Sequence, residues 1–181
     1  EASKRSSLII AIDGRCAAGK STLATELANK LDANLIHMDD FFLRPEQRTR
    51  ERLVIPGENI DHERFLQEVL LPLKKQIPFE YQPFSCRTME LAEPIHMIPK
   101  AITVIEGSYA CHPNLRDHYD LRVFLTVSSD EQIFRIRERN GEEMLKMFCE
   151  TWIPLEEAYF ERCQVMACCQ RIFDMSSKLK G

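Results

Sequence analysis

Gly14 and Gly19 stand with Lys20 and Ser21 in the spacing G-x-x-x-x-G-K-[ST]. That is the pattern of a turn whose backbone N–H groups converge on phosphate oxygens. The amides of Arg15, Cys16, Ala17 and Ala18 line such a turn, and Thr22 completes the nucleotide-contacting run Gly14 to Thr22. Lys20 is placed to reach the terminal phosphates of a nucleoside triphosphate, with ATP as the expected donor. The Ser21 hydroxyl is placed to ligate the Mg2+ that bridges those phosphates. The helix that follows adds its positive N-terminal end.

Carboxylates come next. Asp39 and Asp40 follow a short apolar run, Asn34 to His37, and so hang from the C-terminal end of a strand, where open parallel sheets bind ligands. A carboxylate there can take a proton from an attacking hydroxyl, which makes Asp39 the candidate general base. Asp39 is also a metal-side oxygen. Glu106 ends a second buried-type strand, Ala101 to Ile105, and suits the magnesium side of the same phosphates. Gly107 lets the chain turn closely past them. Arg135 and Arg139 lie four residues apart on one helical face, from which two guanidiniums would close over the triphosphate.

The elements that must hold these groups follow from periodicity. Ser7 to Ile12 is a continuous apolar run of the buried parallel type, and Leu121 to Val127 is another. Between Gly19 and Leu31, Leu23, Leu27 and Leu31 recur every four residues with Ala24 and Ala28 beside them, an apolar helix face. Asn29 to Asp32 imitates the guanine-reading N-K-x-D of GTPases, but sits on that first helix instead of after a later strand. Arg44 to Ile60 carries four arginines, two prolines and a glycine without a period, and reads as a long surface connection with a solvated basic face. Asp61 to Lys75 is helical, and Phe79 to Met89 is a small strand or hairpin among prolines. Ser128 and Glu131 offer a capping box for a helix that Asn140-Gly141 would stop. Glu142 to Val165 is a helical pattern that Pro154 should kink or break, and Arg171 to Met175 is a last strand.

Composition bounds the class. At 181 residues, 44% apolar and 29% charged, the chain suits one globular domain, residues 1–181. A net charge of -4 excludes a general affinity for nucleic acid, and no apolar run approaches membrane-spanning length. The polar opening from Glu1 to Ser7 lacks the apolar core of a secretory signal. Seven cysteines, odd in number and without a C-x-x-C pair, read as reduced structural thiols of a cytoplasmic protein. Cys163, Cys168 and Cys169 have no nearby His and do not make a zinc pattern. Cys16 reads as a small residue in a tight turn.

Taken in order, these features resemble the uridine kinase and phosphoribulokinase group of P-loop kinases. The resemblance rests on Gly14 to Ser21, Met38-Asp39-Asp40-Phe41-Phe42, Asn59-Ile60-Asp61-His62 through Phe65, Tyr81 with Phe84, Val104-Ile105-Glu106-Gly107, and Arg135 with Arg139. It implies a doubly wound three-layer α/β domain on a five-stranded parallel sheet, with residues 61–100 as an acceptor-side insertion and 129–146 as a lid. By that resemblance Asp61 would hold sugar hydroxyls of the acceptor, and His62, Tyr81 and Phe84 would line a base pocket. Ser85-Cys86-Arg87 stands where those kinases carry a pyrimidine-contacting histidine, which brings Arg87 to the acceptor site. The implied reaction moves the γ-phosphoryl group of ATP, with Mg2+, to the 5'-hydroxyl of a pyrimidine nucleoside such as uridine or cytidine. A sugar phosphate or vitamin-like alcohol acceptor, and a non-catalytic nucleotide-binding switch, are the alternatives. The expected partner is thus a small-molecule acceptor, with no nucleic acid and no membrane, and homo-oligomer formation is left open.

Overall fold

A computed structural model of the chain describes residues 7–177. Residues 1–6, on which most of the secretory-signal reading rests, lie outside the described residues. In chain order the strands are β1 (Leu8–Gly14), β2 (Asn34–His37), β3 (Phe79–Tyr81), β4 (Phe84–Ser85), β5 (Glu90–Leu91), β6 (Ile95–Met97), β7 (Ile102–Glu106), β8 (Leu121–Thr126) and β9 (Arg171–Asp174). The helices are α1 (Lys20–Leu31), α2 (Arg50–Leu53), α3 (His62–Phe65), α4 (Leu71–Lys75), α5 (Ser129–Met147), α6 (Ile153–Arg162) and α7 (Val165–Cys168).

Five strands form one sheet in the order β2-β7-β1-β8-β9, parallel throughout. Alternation along its strands builds two cores. Ile9 and Ala11 of β1, Ile36 of β2, Ile105 of β7 and Phe124 of β8 face one core, with Phe65, Leu73 and Tyr159 from the helical side. Ile10 and Ile12, Val104, and Val123 with Leu125 face the other, under α1. Both faces of the sheet are therefore covered, as a parallel sheet requires, and the three-layer expectation holds. The register sets Ile12 beside Glu106 and Gly14 beside Leu125, so the strand ends that carry chemistry lie side by side. The crevice at a strand-order switch is where such folds bind ligands.

Several local expectations change. The buried face of α1 is Ala24 and Ala28, while Leu23 and Leu27 are half-buried and Leu31 is 43% exposed. Small residues let the helix axis approach the sheet, which turns the leucine row sideways. The N-K-x-D imitation falls at the far end of α1, where Asp32 takes a left-handed cap and its carboxylate meets Lys100 Nζ at 2.7 Å. The stop expected at Asn140-Gly141 does interrupt α5: Gly141 leaves helical geometry (φ 80°, ψ 170°), and a second helical stretch follows the kink. Pro154, by contrast, does not break the path. It sits in the first turn of α6, after a π-helical turn at Phe148–Trp152, where its missing N–H costs least. The capping box is half made: Ser128 accepts from Glu131 N at 3.4 Å, but the Glu131 carboxylate turns to Arg135 and Ser177.

The connection before α3 is short helices more than open loop, and its arginines are partly structural. The Arg52 side chain, 19% exposed, donates to Glu58 O, Ile60 O and Glu63. In the region after α4, β3 pairs with β6 and β4 with β5, both antiparallel, so 79–97 is a small ribbon beside the main sheet. No helix among the described residues is long and apolar enough to cross a membrane.

Candidate active site

The glycine turn is held from below and from one side. Gly14 has φ +137°, and a Cβ there would lie 2.0 Å from Leu125 O, so the turn can leave the sheet only with glycine at that position. Beneath it, fully buried Asp13 accepts from Gly14 N (2.7 Å), Cys111 N (2.8 Å) and Tyr159 Oη (2.8 Å). Burial raises the Asp13 pKa to about 6, opposed by those donors and by Lys20. From the side, Glu156 of α6 accepts from Cys16 N at 3.0 Å and from Ser108 Oγ. Gln132 and Arg135 of α5 donate to Cys16 O and Ala17 O, both at 3.1 Å. Cys16 is pushed up to about 12 by burial and the Glu156 charge, which leaves a neutral, unreactive thiol.

At the head of α1, Gly19 is left-handed and no side chain caps the first turn, so its N–H groups stay available. Lys20 Nζ donates to Gly14 O (2.6 Å) and Arg15 O (2.9 Å), arching over the turn. Ser21 Oγ donates to Glu106 Oε2 at 3.1 Å, and His37 Nδ1 lies 2.5 Å from Glu106 Oε1. That contact raises the His37 pKa, favouring imidazolium beside the carboxylate.

Asp39 is exposed to solvent but walled by the same crevice, and its pKa is raised, first by desolvation and then by the Glu106 charge, against Lys20. Gly107 permits this approach: its φ is +138°, and a Cβ would come within 2.7 Å of Met38 Cβ and 3.5 Å of Asp39 Oδ1. The end of β7 and the turn after β2 are thereby pressed together. The hydroxyl of Ser21 and the carboxylates of Glu106 and Asp39 form an all-oxygen donor set beside the turn, the hard-ligand chemistry that suits Mg2+.

These groups open into one cavity of about 720 Å³. Lys20, Ser21, Asp39 and Glu106 line it together with Phe42, Arg48, Asn59, Met89 and Trp152. Arg139 also lines it and donates to Asn140 Oδ1, whereas Arg135 is held by Glu131, Ala17 O and Met175 O. The two arginines therefore do different things, one beside the cavity and one bracing the turn.

None of the five acceptor-side residues anticipated from the sequence is among the residues that line the cavity. Asp61 caps α3 through Arg64 N (3.1 Å) and is 2% exposed, with Arg44 and Arg64 nearby at 3.8 and 3.7 Å. The His62 ring stacks on His112 at 4.1 Å, and its Nε2 lies 3.1 Å from Glu58. Tyr81 Oη donates to Asp40 Oδ2 (3.3 Å), and Arg48 lies 5.6 Å over the Phe84 ring. Arg87 is exposed in the turn between β4 and β5. Sequence reading passed over Asp13 and Glu156. Asp13 had a signal, a carboxylate closing an apolar strand directly before Gly14; Glu156 had none, being one acid among several in a helical run.

Solved structures match this fold along nearly its whole length. A possible uridine kinase from Bacillus stearothermophilus is 20% identical, covers 93% of this chain and 89% of its own, and superposes with a TM-score of 0.68. A provisionally named fructose transport system kinase from Silicibacter sp. TM1040 is 21% identical over 96% of this chain and 92% of its own, with a TM-score of 0.61. D-glycerate 3-kinase from Cryptococcus neoformans var. grubii is 15% identical over 93% and 86%, with a TM-score of 0.56. No protein-family model matches the sequence, and a search of curated proteins finds no match. With its glycine turn between β1 and α1 and its five parallel strands between two helical layers, the chain shares the fold of these three structures, that of a P-loop α/β domain.

Proposed function

We propose that the protein is an ATP-dependent kinase that transfers the γ-phosphoryl group to a hydroxyl of a small acceptor, and that it belongs with the uridine kinase-like P-loop kinases. One observation carries this reading: Lys20, Ser21, Asp39 and Glu106, from three strand ends, line a single cavity. Such an arrangement suits phosphoryl transfer, in which positioning and charge neutralisation do most of the work.

The N–H groups of the turn and of the first turn of α1 would bind the phosphates, and Lys20 would swing from Gly14 O and Arg15 O to the β- and γ-phosphate oxygens. Ser21, Glu106 and Asp39 would hold Mg2+, which when bound neutralises charge on those oxygens. Asp39 would accept the proton of the attacking hydroxyl; its raised pKa makes it a stronger base than an ordinary aspartate. Arg139, at the cavity wall, would close on the transferring group. Seven free cysteines fit a cytoplasmic setting.

For the acceptor, a pyrimidine nucleoside is the first reading, supported by the highest of these TM-scores falling to a possible uridine kinase and by the aromatic wall of Phe42 and Trp152. A smaller hydroxyl compound is favoured by a different observation, the burial of Asp61 and His62 away from the cavity lining. ATP consumption with Mg2+ across nucleosides, sugar phosphates and small alcohols separates them. Stimulation by uridine or cytidine supports the first, stimulation by a non-nucleoside alone supports the second, and no stimulation by any acceptor favours a binding module.

A further inference from the structure

Folding brings three thiols to one point outside the lining of the cavity. Cys168 and Cys169 end α7, and Cys111 approaches them from the turn after β7, 58 residues before Cys169. The three sulfurs lie within 4.8 Å of one another, and Cys111 Sγ is 4.0 Å from Cys169 Sγ. Cys111 is fully buried; Cys168 and Cys169 are half-buried, so the cluster has a protein floor and a solvent-facing side.

The spacing has a chemical meaning. A cation about 2.3 Å from each of three thiolates sets the sulfurs about 4 Å apart. The surroundings also supply charge: Arg122 Nε donates to Cys168 O (2.7 Å), Arg122 Nη1 to Arg116 O (2.8 Å), and Arg116 Nη1 to Cys163 O (2.9 Å). Two guanidiniums thus fix the turn that presents the thiols and offset the excess negative charge of a three-thiolate centre.

We propose that Cys111, Cys168 and Cys169 form a binding site for a thiophilic divalent cation, Zn2+ in the first instance, with solvent supplying the fourth ligand on the open side. Sequence spacing concealed it, because the adjacent pair at 168 and 169 takes its third ligand from residue 111. Binding would release the thiol protons to solvent and tie α7 to the turn after β7. That turn is coupled to the phosphate-binding end of the sheet, since Cys111 N donates to Asp13, which in turn holds Gly14 N.

The test uses the full chain, reduced and stripped of metal, with Co2+ as a spectroscopic probe and Zn2+ as competitor. One equivalent of Co2+ should give a near-ultraviolet thiolate charge-transfer band and visible bands of tetrahedral strength, and Zn2+ should abolish both. At roughly a hundredfold excess over its dissociation constant, Zn2+ should raise Tm by about 5 °C or more. Cys168→Ser and Cys169→Ser, both half-buried and checked for folding by circular dichroism, should each weaken the charge-transfer band and the Tm shift at least tenfold in ion concentration. Cys86→Ser, an exposed cysteine elsewhere, should change neither. Absence of the band in the reduced wild type, or its survival unchanged in folded Cys168→Ser and Cys169→Ser, overturns the proposal.

Discussion

The turn from Gly14 to Ser21 and the segment from Phe42 to Met97 both contribute residues to one cavity, but they are held in different ways. The turn is fixed from several sides at once. Asp13 lies beneath it, Glu156, Gln132 and Arg135 brace its flank, and the register of β1 with β7 brings Glu106 beside it. The other segment is built from short helices and two small ribbons, and its polar residues are mainly engaged by other protein groups: Asp61 caps α3, His62 stacks on His112, Tyr81 meets Asp40. A site for a ligand part shared by every triphosphate can be rigid and local. A site for one particular acceptor is assembled from distant pieces, and its chemistry is set by what those pieces leave uncovered.

That contrast can be broken most directly at Lys20. Lys20→Ala should lower kcat/KM by about a thousandfold, with weakened ATP binding in titration calorimetry, because on the proposed reading it removes the charge that would reach the transferring group. A smaller loss than that from any acceptor-side substitution would reverse the ranking of the two regions. Next comes Glu156, whose loss leaves Cys16 N and Ser108 Oγ without their acceptor. Glu156→Ala should cost about 1–3 kcal/mol in thermal unfolding and raise KM for ATP. An unchanged KM for ATP would mean the turn does not depend on its side brace.

Asp13 sharpens the same point through pH. Its pKa is about 6 folded against 3.8 unfolded, so the native state binds more protons between those values. The group's contribution is therefore fully present below about pH 4 and lost as pH rises through about 6, amounting to ~3 kcal/mol at most. Tm of the wild type minus that of Asp13→Asn should be larger at pH 4 than at pH 7; the opposite order would contradict the assignment. The smallest effect is expected at Asp61. Loss of its cap in Asp61→Ala should cost about 1 kcal/mol, and KM for the acceptor should rise only if the side chain also reaches the cavity. An acceptor KM raised with Tm unchanged would restore it as a direct ligand.

The same contrast explains what could be read without a structure. The Gly14 to Ser21 turn, Asp39 and Glu106 were legible because each requirement is local: an apolar run, a carboxylate or glycine at its end, and a helix start. The apolar runs marked its strands, but the five-stranded parallel sheet itself was implied by the resemblance to the uridine kinase and phosphoribulokinase group. Glu156 was not legible, since its value comes from a contact 140 residues away with Cys16 N. Leu31 misled because a period of four does not say which side of the row faces the sheet, and Ala24 and Ala28 took the inner position. Pro154 was expected to kink or break a helix but falls in the first turn of one, where a π turn absorbs the irregularity.

The central claim is that Asp39 takes a proton while the other segment only positions the acceptor. It is tested most directly by measuring acceptor-stimulated ATP turnover and ATP affinity together for the wild type and Asp39→Asn, across pH. Turnover should fall by about 10²- to 10⁴-fold in the variant with ATP affinity nearly unchanged. The wild-type kcat/KM should decline on the acid side at a pH above the ordinary aspartate value, as its raised pKa requires. Wild-type turnover in Asp39→Asn, or loss of ATP binding equal to the loss of turnover, would contradict the account.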